Sequence, residues 1–155
     1  MIIIKAIGQP KDHYKTKLIS CVENIPEIVS CIDKRMSDGG FDREQILELQ
    51  VAVEEAYVNI TNHGYNKEEG LIWVSFDSGN GFFMVTLEDE APRFDPTLFN
   101  KRNQGGNIQD HPIGGWGINL IRSLTDELKY EYEDGKNKLI LIKKRGVHSK
   151  KSDNT

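Results

Sequence analysis

Apolar residues recur at steps of three and four in three stretches of the chain, and each stretch predicts a helix with one buried face. The first carries Ile25, Ile28, Val29, Ile32 and Met36. Asn24 stands at its start as a cap, Pro26 is tolerated in its first turn, and Ser37, Asp38, Gly39 and Gly40 stop it. Asp42 with Gln45 three residues later resembles a capping box for the second helix, whose stripe Ile46, Leu49, Val53, Ala56 and Ile60 ends near His63 and Gly64. The third follows Gly114, Gly115 and Gly117 and places Ile118, Ile121, Leu124 and Leu128 on one face.

Between these stretches the pattern changes to strands. Met1 to Ile7 and Lys15 to Cys21 read as extended segments. Leu71 to Phe76 and Phe82 to Leu87 are β-rich runs separated by Asp77, Ser78, Gly79, Asn80 and Gly81, which predicts an antiparallel hairpin. Tyr130 to Glu133 and Lys138 to Lys144 form a second hairpin through Asp134 and Gly135. From Glu88 to Ile113 the pattern dissolves into Pro, Asp, Asn and Gly over a length that in a compact domain is usually functional or disordered. Residues 145 to 155 are polar and read as a mobile tail after a domain spanning 1 to 144. The order of elements describes an α+β fold, a two-layer sandwich in which helices cover one face of a mixed sheet.

At 155 residues, 37% hydrophobic and 28% charged, the chain suits one domain with one core. A net charge of -4 argues against a direct nucleic-acid binder, so any bound anion is held locally. Cys21 and Cys31 have neither metal-ligand spacing nor a disulfide framework and read as half-buried thiols of a reducing compartment. Met1 to Ile7 is broken by Lys5 and too short for a signal-peptide core, so neither export nor a membrane is expected, and the location expected is cytoplasmic.

Four features carry candidate chemistry. Glu55 and Asn59 lie one helical turn apart and project from the same face, where a carboxylate and an amide can address one bound object. A solvated face is the plainer account of Glu55, with Glu54 beside it as a second candidate, whereas Asn59 is a mediocre helix former beside a buried stripe and asks for a partner. Asp89 ends a strand and faces the long loop, where it can accept hydrogen bonds from a ligand's amino group; simple turn chemistry is the alternative. Asp95 before Pro96 reads as a turn former, with Phe94 packing the loop down. Gly114, Gly115 and Gly117 permit close backbone approach, and the N–H groups opening the next helix offer partial positive charge to phosphate oxygens. Neither a Walker-type Gly-Lys-Ser/Thr nor a dinucleotide fingerprint is present.

Taken together, Glu55-Ala-Tyr-Val-Asn59-Ile-Thr-Asn-His63-Gly-Tyr65, Asp89-Glu-Ala-Pro-Arg-Phe94-Asp95-Pro96 and Gly114-Gly-Trp-Gly117-Ile-Asn-Leu-Ile-Arg resemble the anti-sigma-factor serine kinase family. That family belongs to the wider ATPase superfamily of gyrase B, MutL and the sensor histidine kinases. The resemblance runs in order and spacing up to Lys144. It implies a Bergerat-type ATP site in which Asn59 holds magnesium against the phosphates, Glu55 is the general base and Asp89 bonds the adenine amino group. It further implies that Gly115 and Gly117, with Gly114 beside them, cradle phosphate, and that Phe99 to Ile113 forms a lid. His63 falls at the family's helix-end position and takes a structural role. Ala91 belongs to the adenine pocket but stands where many superfamily members have Gly; its methyl would narrow that pocket, a change this smaller family often tolerates. Arg93, Lys101 and Arg102 are unranked candidates for a phosphate-contacting cation.

The activity implied is transfer of the γ-phosphoryl of ATP to a serine on a small antagonist protein, with capture of a sigma factor in the unswitched state. The alternative is a module that binds ATP without transferring phosphate and regulates a protein partner. A histidine kinase is disfavoured because no helix pair with a phosphoacceptor His precedes the domain. A homodimer, built on the first strand and the helix from Asn24, is expected by resemblance alone.

Overall fold

The computed structural model describes residues 9–98 and 115–146. Strand β1 (Asp12–Ile19) is followed by α1 (Ile25–Asp38) and α2 (Arg43–Asn59), the hairpin β2 (Leu71–Gly79) and β3 (Phe82–Asp89), α3 (Gly115–Leu124), and the hairpin β4 (Glu127–Glu133) and β5 (Lys136–Lys144). The strands form one sheet in the order β1-β2-β3-β5-β4. Where a mixed sheet was expected, all four pairings among the described strands are antiparallel. Residues 1–7, read as a first strand, the proposed lid and the tail beyond 146 lie outside the described residues.

Side chains alternate across the pleat, so each strand contributes every second residue to the helix layer. Ile72, Val74 and Phe76 of β2, Phe83, Val85 and Leu87 of β3, and Leu139 and Leu141 of β5 form one core with the helices. The intervening residues Phe82, Met84, Ile140 and Ile142 make a separate cluster on the opposite face. Helix α2 lies between α1 and α3. Its stripe Ile46, Leu49, Val53 and Ala56 is buried as its period predicts, and Ile28, Ile32 and Met36 of α1 meet it from the side.

Local chemistry explains most of the boundaries. Asp42 Oδ1 accepts the Gln45 N–H at 2.9 Å, the N-cap half of the capping box, while the Gln45 amide nitrogen donates to Lys144 O and ties the start of α2 to the end of β5. Asn24 does not cap α1: residues Val22–Asn24 are already a 3-10 turn, and the Asn24 amide donates to Ile19 O at 2.8 Å instead. Asp77 and Ser78 continue β2, so its hairpin turns on Asn80 and Gly81 alone. Asp134 and Gly135 adopt φ of 54° and 74°, the type I′ geometry that matches strand twist.

Leu128 does not extend α3. The helix stops at Leu124, and Leu128 faces the same core from β4. The end of α3 is fixed by Lys143, a residue 1% exposed, whose ammonium donates to Leu124 O and pairs with Glu48 of α2. A cation there meets the negative end of the helix dipole, and Glu48 supplies the counter-charge its burial requires. Arg145, just past β5, bonds Gly81 O and Gly39 O.

Candidate functional site

The end of α2 sets the site's geometry. Beyond Asn59 the chain widens into a π-helical turn over Ile60–Gly64, closed by the Tyr65 N–H on Ile60 O. Such turns recur at functional sites because they rotate side chains out of the α-helical register. Asn59, Ile60, His63 and Gly64 all line one cavity, together with Asp89, Ala91, Phe94, Ile118, Ile121, Tyr130, Asn137 and Leu139. It encloses about 210 Å³, more than the roughly 150 Å³ of apolar space that takes up benzene, so a heteroaromatic ring fits.

Asp89 is the last residue of β3 and only 5% exposed. It lies two residues beyond Leu87 and so points into the helix layer, as does Asn137, its register partner on β5. The Asp89 Oδ1 accepts both the Asn137 Nδ2–H at 2.9 Å and the Ala91 N–H at 3.0 Å. Burial pushes the Asp89 carboxyl above the ordinary carboxylate range, and these two donors pull against that rise. Ala91 is 5% exposed, and its methyl packs where residue 64 has no side chain: a methyl at Gly64 would lie 3.3 Å from it. The alanine is thus accommodated by the glycine opposite.

At the other end of the site, α3 crosses α2 closely. A methyl at Gly117 would lie 2.8 Å from Glu55 Oε1 and 2.9 Å from Asn59 Nδ2, so the glycine lets the first turn of α3 meet these two side chains as they are placed. This separates the two glutamates: Glu54 is exposed, while Glu55 is half-buried against α3. Gly115 opens α3, and Gly114 lies outside the described residues with Lys101 and Arg102. Arg93 lines the cavity and stacks over the Tyr132 ring, 4.8 Å from its centroid. Asp95 is a turn former as expected, accepting from the Thr97 N–H and hydroxyl.

Two residues essential to this geometry escaped the sequence reading. Asn137 is one; its only signal was a residue of poor β propensity inside a strand. Tyr65 is the other, quoted only within a motif. Its hydroxyl donates to Leu71 O and accepts the Glu90 N–H at 2.7 Å, tying the end of α2 to the residue after Asp89. A methyl at Gly70 would sit 2.5 Å from Tyr65 Cδ1 and Cζ, and the pinned hydroxyl leaves the ring little room to yield. Gly70→Ala is therefore expected to cost about 2 kcal/mol in urea unfolding. A change within about 0.5 kcal/mol would show the ring free to swing.

A helix layer over an antiparallel sheet, with its cavity between the end of the central helix and the end of β3, is the build of an ATPase domain. A family model described as the histidine kinase-like ATPase domain matches residues 20–143, and the chain belongs to that family. Among curated proteins it is similar to the serine-protein kinase RsbW of Oceanobacillus iheyensis, 33% identical over 62% of this chain and 64% of the relative. RsbW of Staphylococcus epidermidis is 28% identical over 81% of this chain and 82% of its own length. These relatives agree with the resemblance to anti-sigma-factor serine kinases. The fold is shared with a solved structure of the RsbU and RsbW domains of a Mycobacterium tuberculosis protein, at a TM-score of 0.60 and 17% identity, covering 88% of this chain and 33% of that one. The family implies use of ATP. No helix among the described residues is long and apolar enough to cross a membrane.

Proposed function

We propose that the chain is an ATP-dependent protein serine kinase of the anti-sigma-factor type. The observation that carries this reading is the convergence of Glu55 and Asn59 on Gly117 in the first turn of α3, at one end of a site whose other end is the buried Asp89. In this arrangement Asp89 takes the amino group of adenine and the apolar cavity walls take the ring. The N–H groups opening α3 face the phosphates.

The residues suit magnesium, a hard cation that keeps several waters and phosphate oxygens and needs few protein donors. Asn59 would hold it through its amide oxygen, and the ion would supply neutralising charge to the phosphates. Glu55 accepts the proton of the acceptor serine as that oxygen bonds to the γ-phosphorus. The bond to the β–γ bridging oxygen breaks, and ADP departs with that electron pair. The acceptor is a serine on a small antagonist protein, whose added charge then weakens its docking. The unswitched kinase, a cytoplasmic homodimer, holds a sigma factor.

Calorimetric titration with ATP tests the site directly. Magnesium-dependent binding is expected in the wild type, with a loss of about tenfold or more in Asn59→Ala, equivalent to one charge-assisted contact. Equal affinity in the two proteins would remove Asn59 from the site. Intact ATP in the presence of every candidate partner would favour a module that binds ATP as a conformational ligand.

A further inference from the structure

The cavity wall contains a polar residue whose five hydrogen bonds all run to the base end of the site. Asn137 is 7% exposed, on the strand opposite Asp89. Its Nδ2 donates to Asp89 Oδ1 at 2.9 Å, Ala91 O at 3.0 Å and, more weakly, Pro92 O at 3.3 Å. Its Oδ1 accepts the Phe94 N–H at 3.0 Å and the Tyr130 hydroxyl at 2.5 Å. This partner set allows one orientation of the amide: three acceptors surround the nitrogen and two donors the oxygen.

We propose that Asn137 is a positioning residue for nucleotide selection: it holds the Asp89 carboxylate in a single, acceptor-only state and fixes the 91–94 segment around the base, so that the pocket prefers a 6-amino purine to a 6-oxo purine. The inference rests on the reading of this cavity as the purine site. With Oδ1 occupied by the Asn137 and Ala91 donors, no hydrogen bond from a described residue reaches Asp89 Oδ2. That oxygen is left to accept from the ligand. An ionised carboxylate accepts the 6-amino group of adenine and repels the carbonyl of hypoxanthine, whereas a protonated carboxyl donates to that carbonyl and loses the discrimination. Burial favours the protonated form, and the Asn137 amide opposes it. The other ionisable groups around Asp89 are His63 on the π-helical turn, Tyr65 and Glu90 beyond it, Arg93 on the loop and Tyr130 on β4.

The test compares Asn137→Thr with Asn137→Val. The two are near-isosteric, suit a strand, and lose the clamp on residues 92–94 alike; only threonine can donate to Asp89. The probes are ATP and inosine triphosphate, and carbon-13 detection of the Asp89 carboxyl in the free protein. The valine variant is expected to raise the Asp89 titration midpoint by about one unit and to lower the ATP preference by about tenfold relative to the threonine variant. Identical behaviour of the two variants would overturn the proposal and leave Asn137 a structural clamp. If neither variant folds, the wild type decides: the Asn137 side-chain amide resonances should titrate with the Asp89 midpoint, and amide signals indifferent to that titration would overturn it. The carboxyl measurement needs no nucleotide. Absent binding of both triphosphates by the wild type would therefore count against the purine-site reading alone, while the midpoints still judge the Asn137–Asp89 coupling.

Discussion

Replacing Glu55 by alanine is expected to lower serine phosphoryl transfer by about 10²- to 10⁴-fold, the range typical of a lost general base, while ATP affinity changes by no more than a few fold. The expectation rests on position. Glu55 is half-buried where α3 crosses α2 and is absent from the lining of the cavity proposed to take the base, so its truncation leaves that lining in place. Glu54, the exposed neighbour, is the internal control: Glu54→Ala should transfer phosphate at the wild-type rate. Quench-flow or gel-based measurement of phosphoserine formation separates the two. Transfer by Glu55→Ala within a few fold of wild type would remove the carboxylate from the reaction.

Gly117→Ala is expected to be the most damaging single-methyl change in the site. The atoms a new methyl would meet, Glu55 Oε1 and Asn59 Nδ2, are the ends of flexible side chains. The fold can therefore absorb the methyl by moving them, and the cost in unfolding free energy is about 1 kcal/mol, near the lower end of overpacking effects. The same displacement moves the proposed base and magnesium ligand together. A shift of about 1 Å in such groups costs on the order of 10²-fold in rate. Intact thermal stability with transfer reduced to that degree is the predicted signature. Loss of stability and activity in parallel would instead make Gly117 a packing glycine only.

The parts of the fold legible in the sequence were those written in local period and turn chemistry. The α2 stripe from Ile46 to Ala56 is fixed by spacing, and the second hairpin by Asp134-Gly135. Leu128 was misplaced because a residue four beyond Leu124 continues a helical stripe and equally begins a strand facing the same core. Asn24 was read as a cap because capping residues before a helix look alike whether their side chains turn toward the helix or, as here, toward Ile19 O. Within the site, Glu55 and Asn59 were legible as a pair on one helix turn. What distinguished Glu55 from Glu54 was the crossing of α3. Asn137 depends on the β3–β5 register, which pairs it with a residue far away in the chain, and no local pattern encodes that pairing.

The strand order also dictates how the domain assembles. The hairpins β2–β3 and β4–β5 pair residues close in the chain, whereas β3–β5 joins Asp89 to Asn137 and closes a long loop that includes α3. Chain-closure entropy favours the two hairpins forming first and their docking later. The proposed purine end of the site lies across that seam, so a nucleotide bound there would act as a rivet across it. Ligand should slow unfolding far more than it speeds folding, because the contacts it makes exist only once the seam has closed.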